Sequence, residues 1–227
     1  MKGIIMRIGN LEIPGGLLVM PVFVVVIALL LLWSWYYYSK QKSEMRSLAA
    51  SHGWIFLGKN HPELRLWLNE VDDRNWRPEN IIFVEGSPNG VYLFNYMADT
   101  KLDEATPENG TACLAQRPGG QTREKVIIYH RSRLLDKLEE ILLEDNVEVG
   151  GPEFRAKFRV RSDRPDFVAR IVTPEVQEIL LRQDYSLPWD RILIAGRSAL
   201  VTVTLRLKPG EWDELLGLTR RLRSVLP

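Results

Sequence analysis

The strongest constraint on this 227-residue chain is an apolar stretch near its N-terminus. From Gly15 to Trp33 the sequence has no charged residue and no polar side chain except the indole of Trp33. A helix of this length extends over about 29 Å, close to the thickness of the hydrocarbon layer of a bilayer. The sequence therefore predicts a transmembrane helix over residues 13–39, preceded by an N-terminal tail over residues 1–12.

A cleaved secretory signal and a buried core helix both fit the length and flanks of this stretch less well. A secretory signal has an apolar core of about 7–15 residues followed closely by small residues, whereas here the nearest small pair, Ala49 and Ala50, lies far downstream. A buried core helix would need protein on every side of an unbroken apolar surface. The aromatic cluster after the stretch is typical of the headgroup region, where a ring can place its polar tip in water. The cluster consists of Trp33, Trp35, Tyr36, Tyr37 and Tyr38.

The basic residues that flank the helix predict its orientation. An excess of Lys and Arg marks the cytoplasmic side of a membrane helix. Here the flanking basic residues are Lys2 and Arg7 before the helix and Lys40, Lys42 and Arg46 after it. The sequence therefore predicts a single-pass protein of the cell membrane with a soluble domain over residues 40–227 in the cytoplasm. A disulfide-free domain on the opposite side is the alternative.

The charge of the soluble part excludes one class of partner. Residues 1–39 contain two of the 30 basic and one of the 29 acidic residues, which leaves 28 of each in residues 40–227. A nucleic-acid-binding domain normally carries a basic excess, because neutralisation of phosphates dominates its affinity. We therefore expect no nucleic-acid partner.

The pattern of the soluble part predicts an α+β domain. We expect a mainly antiparallel sheet of about seven strands, with helices on one side and a C-terminal amphipathic helix over Glu211–Val225. The clearest elements are a hairpin of Asn80–Glu85 with Val91–Met97 and a second hairpin across Gly196-Arg197. Seven strands followed by a helix is also the element order of a pleckstrin-homology-like barrel, here with inserted helices.

Three further segments have a characteristic pattern. Apolar residues of Leu134–Leu143 recur at the helical period, which predicts a helix. Glu153–Val160 alternates apolar and basic residues, which predicts a half-exposed strand. Asp99–Gln121 is rich in Gly, Pro, Thr, Asn and acidic residues, which predicts a long loop.

Several of these segments resemble a group of uncharacterised bacterial membrane proteins, in which a transmembrane helix precedes a domain of this kind. The resemblance is carried by SLAASHGWIF at 47–56, NIIFVEG at 80–86, FNY at 94–96, the run 153–160 and TPEV at 173–176. It implies an N-terminally anchored domain. It implies no known activity and therefore no catalytic residues.

The sequence contains no motif that predicts a catalytic, metal or cofactor site. None of the three histidines has a second ligand at metal-binding spacing. Cys113, in the predicted loop, has no neighbouring base that would activate its thiol. We therefore expect no cofactor, and we interpret Asp72 with Asp73, and Asp103 with Glu104, as solvated acids.

Two groups of basic residues are the candidates for a contact surface. One group lies on the alternating segment and the other on the C-terminal helix. They are Arg155, Lys157, Arg159 and Arg161, and Arg220, Arg221 and Arg223. A solvated surface explains them most simply, but the membrane anchor would also bring them near anionic headgroups or an acidic partner.

These observations favour a binding or accessory module that presents its soluble domain to a partner protein at the membrane surface. The alternative is a membrane-tethered enzyme, most simply a hydrolase, that uses His130 or the Asp72-Asp73 segment in a pocket. A permanent subunit of a larger membrane complex is a third possibility, since Pro14, Gly15 and Gly16 at the start of the helix would permit close helix packing. The sequence does not indicate whether the chain forms homo-oligomers.

Overall fold

The computed structural model describes residues 5–8, 11–59, 61–72, 74–85, 90–99, 108–116, 124–130, 146–182, 187–195 and 198–226. The chain divides into two compact units, residues 1–44 and 45–227. The predicted helix Leu134–Leu143 lies outside the described residues.

The first unit consists of a hairpin and most of a long helix. Strands β1 (Ile5–Ile8) and β2 (Leu11–Pro14) pair antiparallel where the sequence predicts only a tail. Helix α1 (Gly15–Ser51) continues without a break beyond residue 39, where the predicted membrane helix ends. Its segment Val22–Ser51 is long and apolar enough to cross a membrane, and the most apolar part of that segment is not buried against protein.

The last turns of α1 belong to the second unit. Met45 and Ala49, four residues apart on one face of the helix, are buried in the core of that unit. Gly53 has a φ of +69°, the left-handed conformation that often follows the end of a helix and that glycine adopts without strain. Glycine at this position therefore allows the chain to leave α1 without strain.

The second unit is built on an antiparallel sheet of eight strands, numbered β3 to β10 along the chain. In sequence order they are β3 (Ile55–Gly58), β4 (Asn75–Glu85), β5 (Val91–Asp99), β6 (Glu108–Ala115), β7 (Lys125–His130), β8 (Phe158–Arg161), β9 (Arg191–Ala195) and β10 (Ser198–Val203). Their order across the sheet is β3-β4-β5-β6-β10-β9-β7-β8. Both predicted hairpins, β4 with β5 and β9 with β10, are confirmed. The described strands form an open sheet with β3 and β8 at its edges, so the barrel alternative is wrong.

Helices cover both faces of this sheet rather than the one side predicted. They are α2 (Pro62–Val71), α3 (Pro152–Lys157), α4 (Pro165–Ile171), α5 (Pro174–Arg182) and α6 (Pro209–Val225). Leu64, Leu68 and Val71 of α2 pack on one face, which we call the α2 face. The buried residues of α3 to α6, among them Trp212, pack on the opposite face, which we call the α6 face.

A bulge in β4 determines which of its side chains lie on each face. Two residues of β4, Asn80 and Ile81, lie opposite one residue of β5, and Asn80 has a φ of +50°. Trp76 and Ile81 therefore both lie on the α2 face, although they are five positions apart. In an uninterrupted strand, residues an odd number of positions apart point to opposite faces.

Two further predictions are wrong. The predicted loop Asp99–Gln121 contains strand β6, which includes Cys113, and β6 is central because it pairs with β5 on one side and β10 on the other. The predicted strand Glu153–Val160 begins as helix α3 and only then becomes strand β8. Pro152 at the first helical position and Glu153 in the first turn favour a helix start.

Candidate functional site

The α2 face carries a cluster of charged and aromatic side chains at one end of its strands. Glu108 and Arg191 are the first residues of β6 and β9, and Tyr96 lies near the end of β5. Arg74 follows α2 directly before β4 begins. Antiparallel pairing brings the starts of β6 and β9 and the end of β5 to the same end of the sheet. We call this cluster, which also contains Asp72, Trp76, Asp190 and Thr202, the strand-end cluster.

Glu108 connects two arginines within the cluster. Its carboxylate accepts hydrogen bonds from Arg74 Nη1 and, at 2.7 and 2.8 Å, from Arg191 Nη2. Arg74 also donates from Nε to Asp72. Only 7% of the Arg74 side chain and 25% of the Glu108 side chain are exposed. Because a buried charge without a partner is strongly unfavourable, these pairs determine whether the cluster can be buried at all.

Asp190 lies beside Arg191 in a partly desolvated position. Thr202 donates from Oγ1 to Asp190 Oδ2 at 3.1 Å, and Arg191 Nε lies 3.5 Å from the same oxygen. Burial raises the pKa of Asp190, although the Arg191 guanidinium and hydroxyl hydrogen bonds oppose the shift. This carboxyl is therefore more readily protonated than an ordinary aspartate.

Aromatic rings form the inner side of the cluster. The Arg74 guanidinium lies 4.4 Å from the centre of the Trp76 ring, and the Trp76 and Tyr96 ring centroids are 5.0 Å apart. Burial raises the pKa of Tyr96, and the nearby carboxylates of Asp190 and Glu108 raise it further. The Tyr96 hydroxyl therefore stays neutral and can both donate and accept a hydrogen bond.

The cluster leaves some buried polar atoms without a hydrogen-bond partner among the described residues. They are Arg74 Nη2, Trp76 Nε1, Tyr96 Oη and Asp190 Oδ1. Most buried polar atoms in folded proteins are paired, and a buried unpaired atom loses its hydration without compensation. Four such atoms in one cluster distinguish it from an ordinary buried ion pair.

The sequence-predicted basic residues are distributed over three elements. Arg155 and Lys157 lie on α3, where they pair with Glu148 at 3.5 Å and Glu153 at 3.1 Å. These pairs reduce the positive charge of this surface. Because this segment is a helix, it does not form the strand face predicted to display Arg155 and Lys157.

Arg159 and Arg161 lie on β8 and face the α2 side of the sheet. The register places Arg159 opposite Tyr129 and Arg161 opposite Ile127. Burial raises the pKa of Tyr129, and the guanidiniums of Arg191 and Arg161 oppose this shift. The two β8 arginines therefore lie on the same face of the sheet as Arg191, two strands away from it.

The remaining predicted residues, Arg220, Arg221 and Arg223, lie on α6 on the opposite side of the sheet. The two predicted basic groups therefore do not join into one surface. Whether either group contacts lipid or a partner stays a prediction.

Of the residues considered for the hydrolase alternative, the described ones, His130 and Asp72, lie on opposite faces of the sheet. His130 ends β7 on the α6 face, where its ring centroid lies 3.9 Å from that of Trp189 and 5.0 Å from that of Phe158. Burial lowers the pKa of His130. Asp72 pairs with Arg74 on the α2 face, and Asp73 lies outside the described residues, as do Asp103 and Glu104.

The single cysteine is placed as a core residue. Cys113 is fully buried on the α6 face of β6, rather than exposed on a loop. Within the part of the chain that the structure describes, no three His, Cys, Asp or Glu side chains are grouped as metal ligands.

Comparison with known proteins identifies the fold. No protein-family model and no curated protein matches the chain. The crystal structure of the mycobacterial trehalose monomycolate transport factor A, TtfA, is similar, with a TM-score of 0.54 and 19% sequence identity. The similarity covers 82% of this chain and 96% of that chain. At this identity it shows a shared fold.

Proposed function

We propose that this chain is a membrane-anchored accessory module, which presents its α+β domain to a partner protein at the membrane surface. The observation that carries the proposal is the apolar surface of α1. Large apolar side chains from Val22 to Tyr38 are exposed, and lipid is the solvent that such a surface fits.

The structural neighbour supports the accessory role. TtfA is described as a trehalose monomycolate transport factor, and the two chains share a fold. We infer that this domain also serves a membrane transport system, by binding another protein of that system. The resemblance to uncharacterised bacterial membrane proteins remains part of the same proposal.

Membrane anchoring can be tested with two arginines in the apolar segment. Each arginine near the centre of a membrane helix disfavours insertion by about 2.5–3.5 kcal/mol. We expect Leu29→Arg with Leu30→Arg to move the chain from carbonate-washed membranes to the soluble or aggregated fraction. The matched control, Leu29→Ile with Leu30→Ile, should stay in the membranes. Equal fractionation of the two variants would contradict the proposal.

The proposed cytoplasmic orientation can be tested with a single surface cysteine. Because the one natural cysteine, Cys113, is buried, a Ser224→Cys variant offers one reactive thiol to a membrane-impermeant maleimide. We expect no labelling in intact cells and full labelling after permeabilisation. Labelling in intact cells would place the domain on the outer side.

The partner can be sought by crosslinking the full-length chain in membranes, followed by purification in detergent. A specific partner should be recovered at a constant ratio to the wild-type chain, and it should be lost with the double-arginine variant. Recovery of the chain alone, at every crosslinker length, would contradict the accessory role. Crosslinks between two copies would instead indicate a homo-oligomer.

A further inference from the structure

The unpaired polar atoms of the strand-end cluster are the feature that the accessory role does not explain. Arg74, Trp76 and Tyr96 are each at least nine-tenths buried, yet each has a polar atom without a partner among the described residues. Asp190 Oδ1 is the fourth such atom. Three of these atoms carry a hydrogen to donate, and the fourth can only accept while Asp190 is ionised.

The groups that carry these atoms are held close together. Arg74 stacks on Trp76, and Trp76 contacts Tyr96. Asp190 Oδ2 lies 3.5 Å from Arg191 Nε, and Arg191 and Arg74 share the carboxylate of Glu108. The unpaired atoms therefore belong to one site rather than to four separate defects.

Neighbouring contacts limit how far these groups can move. Arg74 uses Nε and Nη1 for Asp72 and Glu108, so its guanidinium plane is fixed while Nη2 is left over. Beside Tyr96, a Cβ added at Gly110 would lie 1.9 Å from the Val203 carbonyl oxygen and 3.1 Å from the Tyr96 ring. Only glycine fits at this position, so the backbone is closely packed against the ring.

The set of unpaired atoms selects the chemistry of a ligand. A carboxylate or phosphate could accept from Arg74, Trp76 and Tyr96, but it would face the carboxylates of Glu108 and Asp190. An ammonium group could donate to Asp190 but would face Arg74 and Arg191. A hydroxyl group carries no charge and both donates and accepts, so it can satisfy both kinds of atom.

We propose that Arg74, Trp76, Tyr96 and Asp190 form a binding site for the hydroxyl groups of a neutral polyhydroxylated ligand, of the carbohydrate class. Glu108 and Arg191 act as positioning residues, since they hold Arg74 and flank Asp190. The side chains of Glu108, Asp190 and Arg191 are 25%, 27% and 19% exposed, so the cluster borders solvent on this side, while the four unpaired atoms themselves are buried. The proposal goes beyond the accessory role, because a protein-binding module has no need of a sugar site.

The test uses the full-length chain in phospholipid nanodiscs. Alkyl maltoside and glucoside detergents are excluded, because their headgroups are sugars and would compete. The indole N–H of Trp76 gives a separate ¹⁵N-resolved signal among the seven tryptophans, and a Trp76→Phe sample assigns it. Sucrose, maltose and myo-inositol are the probes, and inorganic phosphate is the anionic comparison.

We expect at least one neutral probe to shift the Trp76 indole signal in a saturable manner, and phosphate to leave it unchanged. Tyr96→Phe removes only the hydroxyl and should weaken binding by about tenfold, the value of one hydrogen bond. Tyr92→Phe is the matched control, since Tyr92 lies on the same strand and the same face but packs against Trp67 and Phe83. It should leave the affinity unchanged.

Three results would overturn the proposal. If none of the neutral probes shifts the signal, the unpaired atoms are occupied by water alone. If phosphate shifts the signal and the sugars do not, the site binds anions. The third result is that Tyr96→Phe and Tyr92→Phe bind a probe with equal affinity. If the Trp76 signal of both variants also has its wild-type position before the probe is added, the structure around Trp76 is intact and the probe binds elsewhere.

Discussion

The two faces of the eight-stranded sheet are built from the same strands but differ in what they bury. The α6 face is almost entirely apolar. It also buries the neutral residues Thr111 and Asn95, and Thr111 Oγ1 donates a hydrogen bond to Asn95 Oδ1, whereas Asn95 Nδ2 has no partner among the described residues. The α2 face is apolar beneath α2 and becomes charged at the strand-end cluster. Burying paired charges stabilises a fold less than apolar packing does. The α6 face therefore provides most of the stability of the fold. The charged residues of the strand-end cluster are not needed for stability, because apolar residues would stabilise the same position at least as well.

The largest effect should follow from a truncation on the α6 face. Trp212 is fully buried, and its indole donates to the Leu207 carbonyl at 3.1 Å. We expect Trp212→Ala to lower the free energy of unfolding by about 3–5 kcal/mol, through lost burial and the cavity that remains. Denaturation of the full chain in micelles, followed by far-ultraviolet circular dichroism, would measure it. A loss below about 1 kcal/mol would mean that the α6 face does not carry the stability assigned to it.

A slightly smaller effect is expected on the α2 face. Glu108→Ala would leave Arg74 and Arg191 without their shared carboxylate, and we expect a loss of about 3 kcal/mol because two partly buried cations then lack a partner. Replacing all three by apolar residues, as Arg74→Met, Glu108→Leu and Arg191→Met, should restore most of the loss. If the triple variant were less stable than Glu108→Ala, the charges themselves would be stabilising and the contrast between the faces would fail.

An intermediate effect concerns the response of the α6 face to acid. Burial lowers the pKa of His130 from its ordinary value of 6.5, so the unfolded chain binds a proton more readily than the folded one. Stability is therefore present above pH 6.5 and is lost as the pH falls below it, by at most about 1.4 kcal/mol per pH unit.

His130→Phe should flatten this acid dependence, because phenylalanine can occupy the space between Phe158 and Trp189 without titrating. His52→Gln, at an exposed histidine near Asp213, is the control and should retain the wild-type slope. The measurement is the free energy of unfolding at pH 7, 6 and 5. Equal slopes for wild type and His130→Phe would show that His130 is hydrated in the folded state.

The smallest effect is expected at the exposed pairs of α3. Arg155→Ala and Lys157→Ala each remove a partner of a largely exposed glutamate, and such pairs contribute about 0–1 kcal/mol. We expect each change in the free energy of unfolding to be smaller than about 0.5 kcal/mol. A larger loss of unfolding free energy, especially one that high salt abolishes, would show that the exposed ion pairs of α3 stabilise the fold.

Local sequence patterns predict much of this fold. The apolar stretch, the hairpin β4–β5 and the amphipathic helix α6 each depend on spacing within one segment, so a single sequence is sufficient. The pattern of Glu153–Val160 misleads because Phe154 and Phe158 are four apart, a spacing that fits one face of a helix as well as alternation in a strand. Strand β6 is missed because Asn109, Gly110 and Thr111 resemble a turn, while two flanking strands stabilise them as a strand.

The strand-end cluster cannot be predicted by such patterns. Glu108 lies 34 residues from Arg74 and 83 residues from Arg191 along the chain. Pairing across the sheet brings them together, and the order of the strands is not contained in any local spacing. The one sequence signal is weak: Asp72 and Arg74 follow the end of α2 in a polar segment, which fits a solvated loop equally well.

The left-handed Asn80 has a consequence for how this protein tolerates change. Side chains alternate between the two faces of a sheet along a strand, and the extra residue at Asn80 shifts this alternation by one position. Every residue of β4 before Asn80 therefore points to the face opposite to the one it would have without the bulge. Deleting one residue there would send Trp76 through the sheet to the opposite side, away from Arg74 and Tyr96, although every side chain of the site would still be encoded. The site is therefore more vulnerable to the loss of a single codon outside it than to most substitutions within it.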